Sequence, residues 1–136
     1  MSQTNELEIM ERIALDLERV EESLASSFNT GAEDFNALIR PLSAAGGKRL
    51  RAQLCLLIAN AGTSIERQRI KIAEAVEMLH LATLIHDDVL DQAEIRRGED
   101  TIHMHKGNKV AILSGDYLFA KAFKIVSEMT NMKYLQ

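Results

Sequence analysis

Acidic and basic side chains that can bind a metal ion and phosphate are concentrated between residues 87 and 97. Asp87 and Asp91 are four residues apart, so on a helix their Cβ atoms lie about 6 Å from each other and both carboxylates can reach one cation. Oxygen ligands of this kind suit Mg²⁺, which keeps several waters and often completes its shell with phosphate oxygens. Arg96 and Arg97 add planar, permanently charged donors for phosphate. The segment predicts a magnesium–diphosphate site; the alternative is a solvated helix end with surface ion pairs.

The helix that carries these acids shows one continuous stripe at helical spacing. Its members repeat at intervals of three and four residues: Ile70, Ala73, Glu77, His80, Leu84, Asp87 and Asp91. Most positions off the stripe are apolar, namely Leu79, Leu81, Ala82, Ile85, Val89 and Leu90. This pattern is typical of a helix buried in a larger helical body. Carboxylates on such a helix need a positive partner in front of them.

His80 lies on the same stripe as the acids. At a rise of about 1.5 Å per residue it is roughly 10 Å from Asp87 along the helix axis, a distance that suits two separate diphosphate groups. The alternative for a lone histidine on a buried helix is a hydrogen-bonded core residue. His86 is interpreted as structural, or as a support for the neighbouring acids.

A second group of cations precedes this helix, in the segment Gly46-Gly47-Lys48-Arg49-Leu50-Arg51. The two glycines let the backbone approach a ligand closely and present its N–H groups. If Lys48 opens a helix, the helix N-terminus and the cations all favour an anion there. Alone, the segment is also a common kind of helix junction. Together with the pair Arg96-Arg97 it indicates a second phosphate-binding element.

The remaining pattern also predicts helices. Thr4 is placed as the cap of an amphipathic helix whose apolar positions serve either core packing or a subunit contact: Met10, Ile13, Leu17, Val20 and Leu24. That helix is predicted to end at Asn29-Thr30-Gly31, and a shorter one, roughly residues 32–40, leads to Pro41. The next helix is predicted to end at Gly62 after burying one apolar face, made of Leu50, Leu54, Leu57, Ile58 and Ala61.

Three further predictions concern the second half of the chain. The spacing of Thr63-Ser64-Ile65-Glu66 is that of a capping box and predicts the start of the acidic helix. His103 and His105 are two residues apart, cannot face one metal from a helix, and are interpreted as loop residues. Asn108 is predicted to cap a final long helix, in which Asp116 is placed to orient a basic group or a metal ligand.

Composition indicates a single globular domain of 136 residues. A net charge of −4 and the absence of Trp give no reason to expect a nucleic-acid partner. No apolar run approaches the ~20 residues that span a bilayer, the first residues lack the pattern of a signal peptide, and a cytoplasmic location is the expectation. The single cysteine, Cys55, lies among leucines and is interpreted as a core residue.

In order and spacing, these motifs resemble those of the trans-isoprenyl (polyprenyl) diphosphate synthases. Asp87-Asp88-Val89-Leu90-Asp91, followed by Arg96-Arg97-Gly98, is similar to the first aspartate-rich motif of that family. Residues 46–51 resemble its glycine-lysine-arginine signature, His80 falls where the family has a substrate-binding histidine, and Gly115-Asp116 match a pair on the next helix. The resemblance implies an all-α fold, the N-terminal part of the isoprenoid-synthase helical bundle.

Family members are considerably longer and carry a second aspartate-rich motif in their second half. In this sequence the only acid after Asp116 is Glu128. Residues 1–136 are therefore interpreted as a partial polyprenyl synthetase domain in which the first aspartate-rich motif is present and the second is absent.

The resemblance also implies a reaction: an allylic prenyl diphosphate is condensed with isopentenyl diphosphate to give a polyprenyl diphosphate, the class of compound used as a quinone side chain. Asp87 and Asp91 would hold Mg²⁺ on the allylic diphosphate with Asp88 in support, and these three acids are the predicted catalytic residues. The predicted substrate-binding residues are Lys48, Arg51, His80, Arg96 and Arg97. Arg96 would stabilise the leaving diphosphate beside the metal, and the other four would bind isopentenyl diphosphate.

Product length is implied by two further positions. In this family the residues four and five before the first aspartate form the floor of the tunnel for the growing chain, and large aromatic residues there stop elongation early. Here they are Thr83 and Ala82. Both are small, which implies a medium-chain or long-chain product. Helix geometry places Thr83 one turn from Asp87, whereas no role for Ala82 follows from it.

Two other functions stay open. One is a non-catalytic subunit or fragment of such a synthase, since without the second aspartate-rich motif a third magnesium and part of the allylic site are missing; either form would assemble as a homodimer or heterodimer. The other is a metal-dependent phosphohydrolase, because His86-Asp87 is a His-Asp pair on a helix. That chemistry normally needs further histidine ligands from an earlier helix, and none precedes His80.

Overall fold

The computed structural model describes residues 3–44, 47–62 and 65–129. These residues form the helices α1 (Gln3–Ser27), α2 (Glu33–Ala44), α3 (Leu50–Asn60), α4 (Glu66–Leu90), α5 (Ile102–Lys106) and α6 (Asn108–Met129). A small hairpin pairs β1 (Ile95–Arg96) antiparallel with β2 (Glu99–Asp100). The predicted all-α fold is confirmed. Within the described ranges, no helix has both the length and the apolar character needed to cross a membrane.

The core is built around α4, which packs against α6, α3 and α1. Large apolar side chains from all four helices, and from Phe28 just after α1, are fully or almost fully buried: Val20, Leu24, Phe28, Leu56, Met78, Ile85 and Leu118. Burial of each such side chain stabilises the fold by about 1.5–3 kcal/mol. The apolar stripe predicted for α1 forms part of this core at Ile13, Val20 and Leu24, whereas Met10 is exposed.

Two buried carboxylates fix α1 and α4 against each other. Asp16 accepts hydrogen bonds from Arg69 Nε at 2.6 Å and from Asn60 Nδ2 at 3.3 Å. Burial raises the pKa of Asp16, but these bonds and the charge of Arg69 outweigh it and leave the pKa lowered. Glu74 accepts from the Ser23 hydroxyl at 2.6 Å. Each buried charge is thereby paired or hydrogen-bonded, as burial requires.

The predictions for α1 and α2 are wrong at two boundaries. Thr4 lies inside α1 rather than at its cap. Helix α2 continues through Pro41 to Ala44. The proline stands near the end of the helix, where it removes only one backbone hydrogen bond, and continuing the helix packs Leu42 against the core and buries Ser43.

Helix α3 departs from its prediction at its start and on its surface. It begins at Leu50 rather than at Lys48, because Arg49 has a left-handed backbone conformation (φ 49°) that cannot continue into a right-handed helix. The face predicted to be buried is exposed, at Leu50, Leu54, Leu57 and Ile58. The buried face is the opposite one, with Ala52 and Leu56. Since α3 is apolar on nearly every side, periodicity alone could not identify the face that packs.

Helix α4 follows its prediction along most of its length. Its N-cap is Ile65, which makes no side-chain cap hydrogen bond. Thr63 and Ser64, on which the predicted capping box depends, lie outside the described residues. At the other end Leu90 is exposed, although the sequence predicted it to be buried.

The segment after α4 contains structure that the sequence did not predict. Arg97-Gly98 form the hairpin turn with φ values of 51° and 84°, the pair of positive φ angles that a two-residue type I′ turn requires. His103 and His105 lie on α5, so their interpretation as loop residues is wrong. The Thr101 hydroxyl donates to the carbonyl oxygen of Ala93 at 2.7 Å, and His103 Nε2 donates to the same oxygen at 2.6 Å. These bonds fold α5 back onto the end of α4.

Helices α4 and α6 are in close contact at His86 and Gly115. A Cβ atom on Gly115 would lie 2.2 Å from His86 Nε2, far inside van der Waals contact. The ring cannot simply turn away, because Nε2 donates to the carbonyl oxygen of Ile112 at 3.0 Å. Gly115 is therefore required by packing rather than by backbone conformation.

We expect Gly115→Ala to lower the free energy of unfolding by about 2 kcal/mol, because the new methyl group displaces His86 and overpacks the interface. Urea unfolding followed by circular dichroism measures the change. Gly31→Ala is the matched control, since a Cβ at Gly31 meets nothing within 4 Å. The double variant Gly115→Ala/His86→Ala should be more stable than the sum of the two single changes predicts; simple additivity would contradict the packing explanation.

Candidate active site

A cavity of about 430 Å³ lies between α2, the start of α3, α4, the hairpin and α5. All five predicted substrate-binding residues line it: Lys48, Arg51, His80, Arg96 and Arg97. Apolar side chains form much of the remaining wall, namely Leu38, Leu42, Leu81, Leu84, Ile85 and Ile102. Cations combined with apolar walls suit a ligand that has both an anionic group and a hydrocarbon part.

Three parts of the chain bring these cations together. Lys48 comes from the junction between α2 and α3 and Arg51 from the first turn of α3. His80 comes from α4, and Arg96 and Arg97 come from the hairpin. The junction and the hairpin lie side by side, since a Cβ on Gly47 would be 3.4 Å from Arg97 Nη2. A glycine at position 47 therefore leaves room for this guanidinium. Gly46 lies outside the described residues.

Arg96 is held by the middle acid of the aspartate-rich motif. Asp88 is buried, and Arg96 Nε lies 2.9 Å from each of its two carboxylate oxygens while Nη2 donates to Oδ1 at 2.7 Å. The hydrogen bonds from Arg96 to Asp88 raise the pKa of Arg96, with smaller contributions from the charges of Asp87 and Asp91. Asp88 therefore faces the cavity and orients an arginine.

Asp87 and Asp91 have a different environment from Asp88. Both are exposed, one in the last turn of α4 and the other just after it, and the Asp91 N–H still donates to the Asp87 carbonyl at 2.8 Å. Their oxygen-only donor set fits Mg²⁺. Among the described residues no group of three or more His, Cys, Asp or Glu side chains could hold a metal. A cation here would take the rest of its shell from water and ligand oxygens, as Mg²⁺ commonly does.

The two positions assigned to product length lie outside the cation cavity. Ala82 is fully buried, whereas Thr83 is exposed. The Thr83 hydroxyl donates to the carbonyl oxygen of His80 at 2.7 Å. Helix geometry puts Thr83 on the same side of α4 as Asp87, with one turn between them.

His86 is directed towards α6 rather than towards the exposed acids. Besides its bond to Ile112, its Nε2 atom lies 3.4 Å from Asp116 Oδ1. Asp116 thus orients a basic group, one of the two possibilities that the sequence left open. A ring used in this way gives no support to a His-Asp phosphohydrolase site at Asp87.

Sequence reasoning missed six charged or basic residues that line the cavity: Arg49, Glu77, Glu99, Asp100, His105 and Lys106. A signal was available for Glu77, because an acid on a largely apolar stripe predicts a buried cation partner. That partner is Arg49, whose Nη1 lies 3.3 Å from Glu77 Oε2. His105 and Lys106 carried no comparable signal, since the hairpin and α5 bring them to the cavity and neither element was predicted.

The cations around His80 affect its protonation. Burial lowers the pKa of His80 below its usual value near 6.5, and the positive charge of Arg51 lowers it further. Glu77 acts in the opposite direction, while Arg96 and Arg97 contribute smaller decreases. The imidazole is therefore neutral at pH 7 and can accept or donate a hydrogen bond.

We expect the His80 imidazole to titrate below pH 6.5 in the free protein and at a higher pH with bound pyrophosphate, because an anion beside the ring favours the imidazolium form. NMR titration of the ring signals, assigned with His80→Asn, measures both values. Arg51→Gln should raise the pKa in the free protein. Arg40→Gln, which removes an exposed arginine on α2, should not. A free-protein pKa of 6.5 or above, or no response to pyrophosphate, would contradict this account.

Comparison with known sequences gives consistent matches. A sequence model of the family described as "Polyprenyl synthetase" matches residues 32–136. Solanesyl diphosphate synthase 1 (chloroplastic) of Arabidopsis thaliana is 33% identical over 134 residues, which cover 94% of this chain and 33% of that protein. Geranylgeranyl diphosphate synthase of Methanosarcina mazei is 45% identical over 102 residues, 75% of this chain and 32% of that protein. The chain thus spans about a third of the length of these relatives.

Solved structures of other proteins also match the helical arrangement of this chain. A polyprenyl synthase from Caulobacter crescentus CB15, complexed with calcium and isoprenyl diphosphate, matches with a TM-score of 0.83 and 37% identity, over 93% of this chain and 39% of that chain. Geranylgeranyl pyrophosphate synthase from Lactobacillus brevis ATCC 367 matches with a TM-score of 0.84 and 33% identity, over 91% and 39% of the two chains.

Proposed function

Because the chain belongs to the polyprenyl synthetase family and has part of its isoprenoid-synthase fold, we propose that it carries the first diphosphate-binding elements of a prenyltransferase. The reaction would join an allylic prenyl diphosphate to isopentenyl diphosphate and give a medium-chain or long-chain polyprenyl diphosphate. The observation that carries the proposal is the grouping of five cationic or basic side chains in one apolar-walled cavity beside two exposed carboxylates.

The cation cavity suits isopentenyl diphosphate. Lys48, Arg51, His80 and Arg97 would bind its two phosphates, and a neutral His80 can donate one hydrogen bond without adding charge. Leucine and isoleucine side chains on the cavity wall would contact the five-carbon group and exclude water from it. Fixing the diphosphate in this way orients the double bond for attack, which removes much of the entropic barrier.

The exposed carboxylates suit the allylic substrate. Asp87 and Asp91 would hold Mg²⁺, and the metal when bound would stabilise the negative charge that develops on the departing diphosphate. Arg96 would add a fixed positive charge at the same point, in the orientation that Asp88 gives it. The roughly 10 Å between Asp87 and His80 along α4 leaves room for both diphosphates.

The second candidate is a non-catalytic subunit or fragment of such an enzyme. It would fit a segment that carries one aspartate-rich motif, with only Glu128 as an acid after Asp116 in these 136 residues. On this view residues 1–136 form a partial domain that works in a homodimer or heterodimer in the cytoplasm. Incubation with Mg²⁺, labelled isopentenyl diphosphate and farnesyl diphosphate tests the second candidate. We expect little or no turnover by the isolated chain, and brisk elongation would exclude a non-catalytic role.

Asp87→Asn should abolish the Mg²⁺-dependent part of pyrophosphate binding, a loss of about tenfold or more in affinity, because one of two carboxylate ligands loses its charge. Calorimetric titration of pyrophosphate with and without Mg²⁺ measures this part. Asp34→Asn, at an exposed acid in the first turn of α2, is the matched control and should bind like the wild type. Unchanged Mg²⁺-dependent affinity in Asp87→Asn would overturn the assignment of the metal site.

Thr83→Phe, in a complete enzyme that carries this segment, should shorten the products, because an aromatic ring one turn from Asp87 would block the path of the growing chain. Chromatography of the products from isopentenyl diphosphate measures their length. Ile72→Phe provides the control, since it places the same aromatic ring at an exposed position about 16 Å further back on α4. Equal product lengths in the two variants would count against this role for Thr83.

A further inference from the structure

Arg49 lies between α2 and α3, but its guanidinium connects α1, α2 and α4. Nε and Nη2 donate to the two carboxylate oxygens of Glu21 at 2.5 and 3.1 Å. Nη2 also donates to the carbonyl oxygen of Ser43 at 2.6 Å, and Nη1 to Glu77 Oε2 at 3.3 Å. These bonds use four of the five N–H groups of the guanidinium, so little of it is left for a ligand.

Glu77 joins this connection to the first turn of α3. Its second oxygen, Oε1, accepts the backbone N–H of Ala52 at 3.0 Å, and the side chain is 4% exposed. The first N–H groups of a helix have no partner within the helix, and Arg49, the N-cap residue of α3, provides no side-chain cap. Glu77 therefore caps α3 from a different helix and binds Arg49 with the same carboxylate.

The backbone at Arg49 is in the left-handed region, with φ 49° and ψ 39°. This conformation costs an L-residue about 1–2 kcal/mol and persists only where the surroundings hold it. Here the anchored side chain holds it, and Gln53 Nε2 donates to the carbonyl oxygen of the preceding residue, Lys48. The turn at Arg49 determines how Lys48 and Arg51, on either side of it, reach the cavity.

We infer that Arg49, anchored by Glu21 and Glu77, is a positioning residue that fixes Lys48 and Arg51 for binding a diphosphate. Lys48 and Arg51 contact the ligand, and Arg49 acts through them. The inference rests on the proposed function, because the ligand is the diphosphate assigned to this cavity.

Positioning and simple charge predict opposite effects for the two glutamates. Both are negative groups close to an anion site, so neutralising either would strengthen pyrophosphate binding if charge alone mattered. If they hold Arg49 in place, neutralising either weakens binding. The sign of the change therefore separates the two explanations.

The test is calorimetric titration of inorganic pyrophosphate into the whole chain in the presence of EDTA, which isolates the cation cavity from the metal site. Glu21→Gln should weaken binding about fivefold. It weakens the charge-assisted hydrogen bonds to Arg49, a residue that acts on the ligand through Lys48 and Arg51. Glu22→Gln removes the same charge at the neighbouring, exposed acid of α1 and should bind as tightly as the wild type or slightly more tightly. Circular dichroism at the titration temperature checks that each variant is folded, since lost stability alone leaves the Kd of a folded variant unchanged.

Arg49→Lys provides a second route if Glu21→Gln does not fold. It keeps the positive charge but cannot span three acceptors, so it should also weaken pyrophosphate binding. Variants of Glu21 and Arg49 that bind as tightly as the wild type would overturn the positioning role and leave the proposed function intact. A wild-type chain that binds no pyrophosphate in EDTA would instead overturn the proposed diphosphate site, and the positioning role with it.

Discussion

Several positive groups can share one cavity only if buried negative charge holds them there, and α4 provides it at two points. Glu77 binds the guanidinium of Arg49, and Asp88 binds that of Arg96. Each pair ties one basic segment to the same helix, so both segments face the same space. Removing Asp88 would deprive Arg96 of its bound carboxylate. Removing Glu77 would leave Arg49 with Glu21 as its one carboxylate partner among the described contacts. Losing a partner of a partly buried cation is more costly than losing a surface ion pair. The cavity therefore depends on the acids of α4 as much as on the cations that line it.

Helix α4 carries an exposed aspartate and a buried aspartate within a single turn. Successive residues are about 100° apart around an α-helix, so Asp87 is exposed while Asp88 is buried against the hairpin. An exposed carboxylate keeps its water and can exchange it for a metal ion. The buried carboxylate of Asp88 already accepts hydrogen bonds from Arg96 on both oxygens. The identical side chains of the motif thus differ in environment, because successive positions face different sides of the helix.

The sequence predicted the secondary structure best where the apolar periodicity extends over many helical turns. Helices α1, α4 and α6 have many turns, so their apolar spacing identified them, and His80, which the sequence singled out on the α4 stripe, lines the cation cavity. It was least informative for α3, where apolar residues on almost every side left the packing face undetermined. The left-handed turn at Arg49 could not be read from spacing, because its side-chain anchors on α1 and α4 are distant in sequence. The type I′ turn at Arg97-Gly98 had a local signal only in its glycine.

The outward face of α3 also affects how this protein behaves in concentrated solutions. Its exposed aliphatic side chains follow each other at intervals of three and four residues and form one hydrocarbon strip along the helix: Leu50, Leu54, Leu57 and Ile58. Excluded salts such as sulfate raise the free energy of such a strip in contact with water, whereas urea lowers it. The strip therefore contributes to salting-out by ammonium sulfate, together with the exposed apolar side chains of α1 and α6.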